Sequence, residues 1–526
     1  MNQQNIDLME KTVDVIIVGA GHNGLVSAIL LARAGLKVMV LEEKDMVGGA
    51  AKTEFPFTKI PKLGTSTGAY LLGVMPPELI KTLGVEFPLL RRDPHYFLPT
   101  TGKRYLLFGS DREAMRNQFT SFFSGEDWRA NEMLSEEIEK IRDDIAPTWL
   151  EEPYSIEETA GRYVRPGLRQ VFIDLCRKPV GVYIDRFGFK SNLVKAMYAV
   201  TDGFSGLFGG WDTPGSGMNF LVHNMCRLPK SDGTWMIVKG GMGTLTKILS
   251  DTALKAGAKI ITGKKVSSID VQGGVATGVT LTNGSQIQAK AVVVNADPFR
   301  MQLLIGAGHL PASYNARIEN YKRPGSTFKV NLALKGLPKF TCLPEDRGQY
   351  GSTIHLLPDE QDVMQSLAEA FSAVKEGRLY PFPTIEWYIH TTVDPSLRDA
   401  EGHHNSALFV QWVPYELKGT TWDVEEERYV QQLLSICDRF APGTSDLVAD
   451  TFPLHPKKIE SHFGITLGHI HHVDNSFGFS DRLPYVTPVQ GVYSASAGTH
   501  PGGSVIGCAG HNAAIRLLKD LNITPG

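Results

Sequence analysis

The sequence predicts an α/β fold: a largely parallel sheet packed by helices, interrupted by a second, mixed-sheet domain under a helical cap. Three stretches predict it. Val13–Val18 is a short β-branched run that ends in the glycine-rich turn Gly19-Ala20-Gly21-His22-Asn23-Gly24 and opens a helical pattern over Leu25–Ala34. Gly240-Gly241-Met242-Gly243 opens a second helix mid-chain, and Gly498-Thr499-His500-Pro501-Gly502-Gly503-Ser504 opens a third near the C-terminus. At 526 residues the chain exceeds one compact core, so two or three packed domains are expected.

The first stretch is a complete βαβ unit. Gly19 permits the tight turn, Gly21 lets backbone approach a pyrophosphate, and Gly24 lets the helix pack closely on the strand. Free N–H groups at the helix start, with the helix dipole, favour the phosphates there. A second strand, Lys37–Leu41, ends at Glu42, placed to accept hydrogen bonds from a ribose diol and to repel a 2′-phosphate. Gly48-Gly49 follows six residues later, and this second glycine pair points to FAD over NAD. Ala50 stands where many such chains carry arginine, with Lys52 the nearest basic residue.

The other two turns complete the site. After Gly243 the pattern reads helix Thr244–Ala256, strands at Ala258–Ile261 and Lys265-Val266, hairpins turning at Gly273-Gly274 and Asn283-Gly284, and the buried strand Ala291–Ala296. Val266 is expected to offer backbone to the adenine edge, and Asn295 ends the returning strand. At the C-terminus, strand Gly491–Ala495 leads into the third turn and a helix from Val505 to Leu521. Its positive end suits the N1/C2=O edge of a flavin.

These segments, read as VIIVGAGHNGLVSAILLARAG, LEEKDMVGGAAKTE, WMIVKGGMGTLTKIL and GTHPGGSVIGCAGHNAA, resemble the phytoene desaturase-related flavoproteins. That family takes in carotenoid desaturases and isomerases, retinol saturase and FAD-type β-carotene ketolases. The ketolases and the group of pyridine nucleotide-disulphide oxidoreductase domain-containing protein 2 are the most alike. The likeness also covers Gly209–Gly217, Val393-Asp394-Pro395 and Gly468–Asp474. It implies a Rossmann-type FAD-binding domain of the two-dinucleotide-binding-domain class. The implied cofactor-binding residues are Gly19, Ala20, Gly21, His22, Asn23, Gly24, Glu42, Gly48, Gly49, Ala50, Val266, Asn295, Gly498, Gly503, Ser504 and Val505. The family's pattern is broken at Asn475–Gln490, which is short and carries Arg482-Leu483-Pro484; that loop is expected on the substrate side.

The FAD-binding domain is assigned to residues 1–75, 235–305 and 457–526. A mainly helical cap is assigned to 76–234, and a mixed β-sheet substrate domain to 306–456. Pro77 with Gly84, and the capping boxes Ser110-x-x-Glu113 and Ser155-x-x-Glu158, mark helix starts in the cap. Phe328, Val330, Leu332 and Leu334 alternate along one strand of the sheet domain.

Reaction chemistry is expected from a flavin that takes a hydride from a C–H bond, with His472, Asp474 and His500 as candidate proton handlers. His469, His471 and His472 do not share one face of a strand, so no metal site is expected. The five cysteines are scattered and contain no CxxC pair, which argues against disulfides, zinc or a dithiol centre. A net charge of −3 gives no case for nucleic acid, and no apolar run reaches the ~20 residues that span a bilayer. The opening MNQQNIDLMEK has neither an apolar signal core nor the Arg-rich, acid-poor character of a transit peptide. The reading is a cytoplasmic oxidoreductase, peripheral on the membrane where its substrate dwells. Its partners are a lipophilic small molecule and an electron acceptor such as O₂ or a quinone. Oxidation of a small polar amine, and a flavin-containing assembly factor with little turnover, are the alternatives.

Overall fold

The computed structural model describes residues 12–524; the opening stretch weighed for targeting signals, residues 1–11, lies outside them. The first sheet is built on β1 (Thr12–Val18) and β2 (Val38–Leu41), which pair in parallel; Val15, Ile17, Val38 and Val40 pack under helices, and Ile16, Met39 and Leu41 pack on the other face against Val266, Ile269, Val279 and Met301. β7 (Lys259–Ile261) extends the parallel array beyond β2, and β10 (Gln286–Val294) flanks β1 on the other side. β16 (Val492–Ser494) adds to β10 in parallel, so the parallel order is β7-β2-β1-β10-β16. β8 (Val266–Gln272) and β9 (Val275–Leu281) form the antiparallel hairpins turning at Gly273-Gly274 and Asn283-Gly284. Helix α1 (His22–Arg33) lies against the C-terminal helix Cys508–Asp520, where a Cβ on Gly510 would stand 2.1 Å from the Asn23 carbonyl oxygen.

The second sheet runs β15 (Val448–Leu454), β11 (Thr327–Leu334), β14 (His404–Gln411), β13 (Thr384–Tyr388), β12 (Thr353–Leu356), β4 (Tyr96–Pro99) and β5 (Tyr105–Phe108). It therefore draws two strands from the mainly helical stretch 76–234. A short pair, β3 (Leu89–Leu90) with β6 (Ile237–Val238), links that stretch to the FAD-binding segments. Alternation divides the second sheet's faces. Phe328, Val330, Leu332, Leu408, Val410, Ile385, Trp387 and Ile354 point to a core closed by helix Trp422–Phe440. Burying each such side chain is worth about 1.5–3 kcal/mol, so this face anchors the sheet. The opposite face is polar at its centre and turns toward the first domain.

Among the cap helices, Pro77–Leu83 starts and ends as expected, with Gly84 left-handed at φ 59°. Ser155 caps Ile156–Tyr163 through a bond from the Glu158 N–H. The Ser110 box is corrected. The cap of Arg112–Phe122 is Asp111, whose side chain accepts from the Ala114 N–H, while Ser110 is held by Asp93. All five cysteines are buried and free. Among the described residues, no helix is long and apolar enough to cross a membrane.

Candidate active site

One cavity of about 670 Å³ is lined by the carboxyl ends of the first sheet and by the polar face of the second. The glycine turns shape its first part. A Cβ on Gly24 would stand 2.3 Å from the Gly19 carbonyl oxygen, so α1 cannot leave the strand at this angle with any other residue there. Gly48 donates its N–H to the Ala20 carbonyl at 2.9 Å and pairs with Gly21, which lays the second glycine pair against the first. Gly48 and Gly49 both have positive φ, 122° and 59°. Glu42 accepts from the Ala20 N–H at 2.7 Å and from the Lys44 N–H at 2.9 Å, so its carboxylate is fixed at the strand end.

Of the cofactor-binding expectations, Gly19, Gly21, His22, Asn23, Glu42, Gly48, Gly49, Ala50, Val266, Asn295, Ser504 and Val505 line this cavity. Ala20 and Gly24 stand behind them, shaping the turn. Gly498 packs on Pro298 and Val473, and Gly503 packs on His471, so both support the cradle from outside. Lys52 lines the cavity while pairing with Glu54 at 2.9 Å. Burial pushes the Glu54 carboxyl up, but bonds from His462, Thr67 and Lys52 outweigh it and hold its pKa at about 2. Asp394 positions the second glycine turn by accepting the Gly240 N–H at 2.6 Å. The C-terminal helix starts at Cys508, beyond the cavity-lining Ser504 and Val505.

The candidate proton handlers are not brought together. His472 lines the cavity with its backbone left-handed at φ 64°, its Nδ1 3.1 Å from the Ser496 hydroxyl. Burial lowers its pKa, and lowers those of His22 and His471 to about 3. Asp474 is outside the cavity wall. It accepts from the Phe208 and Ser476 N–H groups and meets His469 Nε2 at 3.2 Å, a bonding set that pulls its pKa down despite burial. His500 is also outside, packed on Phe479 with ring centroids 5.2 Å apart. Trp211 sits over Gly181, away from the cavity. Nor does the Asn475–Gln490 loop face the substrate: Arg482 in it is 1% exposed and bonded inward.

Sequence reasoning missed the second half of the cavity. Register places Lys329, Phe409, Glu386 and His355 opposite one another across β11, β14, β13 and β12. The first three line the cavity, with Tyr388, Tyr70, Arg92, Tyr96, Thr201 and Asp202 around them. Lys329 donates to the Ser66 and Gly68 carbonyls at 2.6 and 2.7 Å and lies 4.2 Å from the Tyr70 ring centre, while burial lowers its pKa far below the lysine range. Burial raises the Glu386 and Asp202 carboxyls to about 7. The one signal available was a lone charged residue inside an apolar strand pattern, Lys329 in TFKVNLAL and Glu386 in TIEWY.

The glycine cradle fits a dinucleotide: Gly19, Gly21, Gly24 and Gly48 leave no room for a Cβ, and Glu42 is pinned at the end of β2, where a ribose diol would be met. Fold and site together define an FAD-dependent oxidoreductase. The family model for flavin containing amine oxidoreductase matches residues 24–356, and the chain belongs to that family. It is 31% identical to mouse pyridine nucleotide-disulfide oxidoreductase domain-containing protein 2 over 97% of this chain and 94% of that one. It is 26% identical to one of the limonene dehydrogenase subunits of Castellaniella defragrans, over 98% and 96%. It is 24% identical to the lycopene-forming phytoene desaturase of a Paracoccus species, over 96% and 97%. The resemblance to the phytoene desaturase-related flavoproteins therefore stands. Among solved structures, putrescine oxidase bound to putrescine shares the fold, with a TM-score of 0.62 at 17% identity over 98% of this chain and 99% of that one.

Proposed function

We propose that this oxidoreductase acts on C–C or C=C bonds of a lipophilic polyene, terpenoid or related lipid. The observation that carries the reading is the wall of the cavity beyond the cradle, where Tyr70, Leu71, Trp235, Phe409 and Ile470 present apolar surface continuous with the flavin-binding turns. Names borne by full-length relatives, a terpene dehydrogenase and a polyene desaturase, agree with it.

FAD held in the cradle would supply a hydride acceptor, with O₂ or a quinone as the terminal electron acceptor. The chain's residues orient and shield. The aromatic wall holds the substrate and keeps water from the reacting carbon. Lys329 fixes the Ser66–Gly68 loop at the junction of cradle and wall. His472 faces the cavity, and its imidazole is the group we assign to accept a proton there. Peripheral contact with a membrane follows from the class of substrate.

Oxidation of an amine is the second reading, favoured by the two buried cavity carboxyls, Glu386 and Asp202. Anaerobic titration of the flavoprotein separates the two. Bleaching of the flavin band near ~450 nm by a terpenoid or a lipid extract, with an unsaturated product by mass spectrometry, is the expected result. Bleaching by alkyl amines and by no lipid would overturn it.

A further inference from the structure

A π-helical turn, Ala199–Phe204, carries Asp202 into the cavity wall, and the end of helix Ser216–His223 holds that turn in place. The Asp202 carbonyl accepts from Asn219 Nδ2 at 3.0 Å and from His223 Nδ1 at 2.9 Å. Asn224 Nδ2 donates to Asp202 Oδ2 at 3.1 Å. Backbone and one carboxyl oxygen are thus fixed from a single helix end. The other oxygen, Oδ1, has no hydrogen-bond partner among the described residues and opens into the cavity, although Asp202 as a whole is only 5% exposed. Single π-turns of this kind recur where a helix must aim one side chain at a functional site.

No cation offsets a charge on Oδ1. Around the turn, His223 spends its Nδ1–H on the Asp202 carbonyl, Tyr198 gives its hydroxyl to Asn131, and Tyr96 on β4 and Glu386 on β13 add no positive charge. On helix Val180–Asp185, Tyr183 packs on Phe187 and Phe220, and Asp185 pairs with Lys195 at 2.8 Å. Arg92 lines the same cavity, but its guanidinium is bonded to the Trp235 carbonyl at 3.0 Å and the Thr353 hydroxyl at 2.9 Å. Burial raises Asp202 to about 7 against the bond from Asn224, and Glu386 adds to the rise. Water in the cavity can solvate Oδ1. An apolar body that displaces this water leaves a carboxylate with one amide bond, whereas an uncharged carboxyl loses far less. The apolar wall adjoins the turn, since Trp235 lies against His223 with ring centroids 5.5 Å apart.

We propose that Asp202 is a specificity-determining residue of the cavity: an apolar substrate is admitted when its carboxyl is uncharged and excluded when it is ionised. This rests on the reading of the cavity as the seat of a lipophilic substrate, and it adds the condition under which that seat accepts one.

The test is binding alone, so it does not depend on turnover. Flavin-loaded protein is titrated with p-cymene, a terpenoid hydrocarbon that carries no titratable group, between about pH 6 and about pH 9, and the flavin absorbance difference is followed. The dissociation constant should be level below about pH 7 and rise ~10-fold per pH unit above it, because each ligand bound there takes up one proton. Glu386 titrates in the same range, so a variant must assign the proton. In Asp202→Asn the constant should match the parent at about pH 6 and stay level to about pH 9, with flavin content unchanged at each pH. If that variant fails to fold, Glu386→Gln takes its place: there the rise should persist, its midpoint lowered by loss of the neighbouring carboxylate. A level profile in the unmodified protein, a rise that survives in Asp202→Asn, or a rise abolished in Glu386→Gln overturns the assignment and leaves the apolar reading standing. No binding of p-cymene at any pH overturns that reading, and the assignment with it.

Discussion

The Arg482 guanidinium donates to the Gly498 carbonyl at 3.2 Å and so ties the loop after the HHVD segment to the C-terminal glycine turn. The same side chain reaches Asn475 Oδ1 at 2.6 Å and the Phe477 carbonyl at 2.8 Å, and burial lowers its pKa to about 10. The short Asn475–Gln490 segment is therefore an internal brace for the flavin cradle. Replacing Arg482 by methionine leaves several buried acceptors unmet, which costs on the order of 3–5 kcal/mol. Urea unfolding should show that loss, together with release of flavin at lower denaturant than in the parent. A stability change within about 0.5 kcal/mol, the range of ordinary surface substitutions, would refute the brace.

Glu42 carries the second prediction. Its two oxygens hold the Ala20 and Lys44 N–H groups and keep the first strand's end in place for a ribose. Glu42→Ala removes both acceptors and the diol partner, so FAD affinity should fall by ~10- to 100-fold, equivalent to about 1–3 kcal/mol. Equilibrium dialysis of apoprotein against FAD measures it. Unchanged affinity would place the ribose elsewhere.

The two halves of the cavity were not equally legible, and the reason is sequence distance. The turn at Gly19–Gly24, the acid at Glu42 and the pair at Gly48-Gly49 are local, so spacing alone reports their geometry. Glu386, Lys329, Arg92 and Asp202 meet only because four strands align in register and the cap folds over them. No short window of sequence contains that register. Asp474 and His500 misled for the converse reason. They sit in glycine-rich, chemistry-bearing stretches, but the backbone there turns their side chains into the structural layer behind the cradle.

Acid should unfold the protein early. His22, His95, His355, His390, His471 and His500 are all lowered to about 3, chiefly by burial, against 6.5 in an exposed chain. Between those values the unfolded chain binds protons that the native state refuses, so stability is full above pH 6.5 and falls as pH drops toward 3. Each histidine contributes up to about 1.4 kcal/mol per pH unit in that window. His500, whose Nδ1 has no partner, is the site to test. His500→Gln should reduce the slope of unfolding free energy against pH between 6 and 4 by about one proton. A slope identical to the parent's would show that His500 is already protonated in the fold.

Lys329 joins the two halves of the cavity. Its amine holds the Ser66 and Gly68 carbonyls, and Ala69 in the same loop donates to the Ala50 carbonyl at 2.9 Å, so one lysine on the second sheet sets the position of the second glycine pair. Lys329→Met keeps the length of the stem but frees both carbonyls, each costing about 1–3 kcal/mol if no water reaches it. The loop should then shift by some tenths of an ångström while α1 and its turn stay in place. Flavin should therefore remain bound with an altered visible spectrum, and flavin reduction by substrate should slow by on the order of 100-fold, the scale of misplacement between reacting groups. Stopped-flow reduction of the loaded variant reads both quantities at once. A parental spectrum with a parental rate would mean that the Ser66–Gly68 loop is held by the cradle alone, and that Lys329 serves only the packing of the Tyr70 ring.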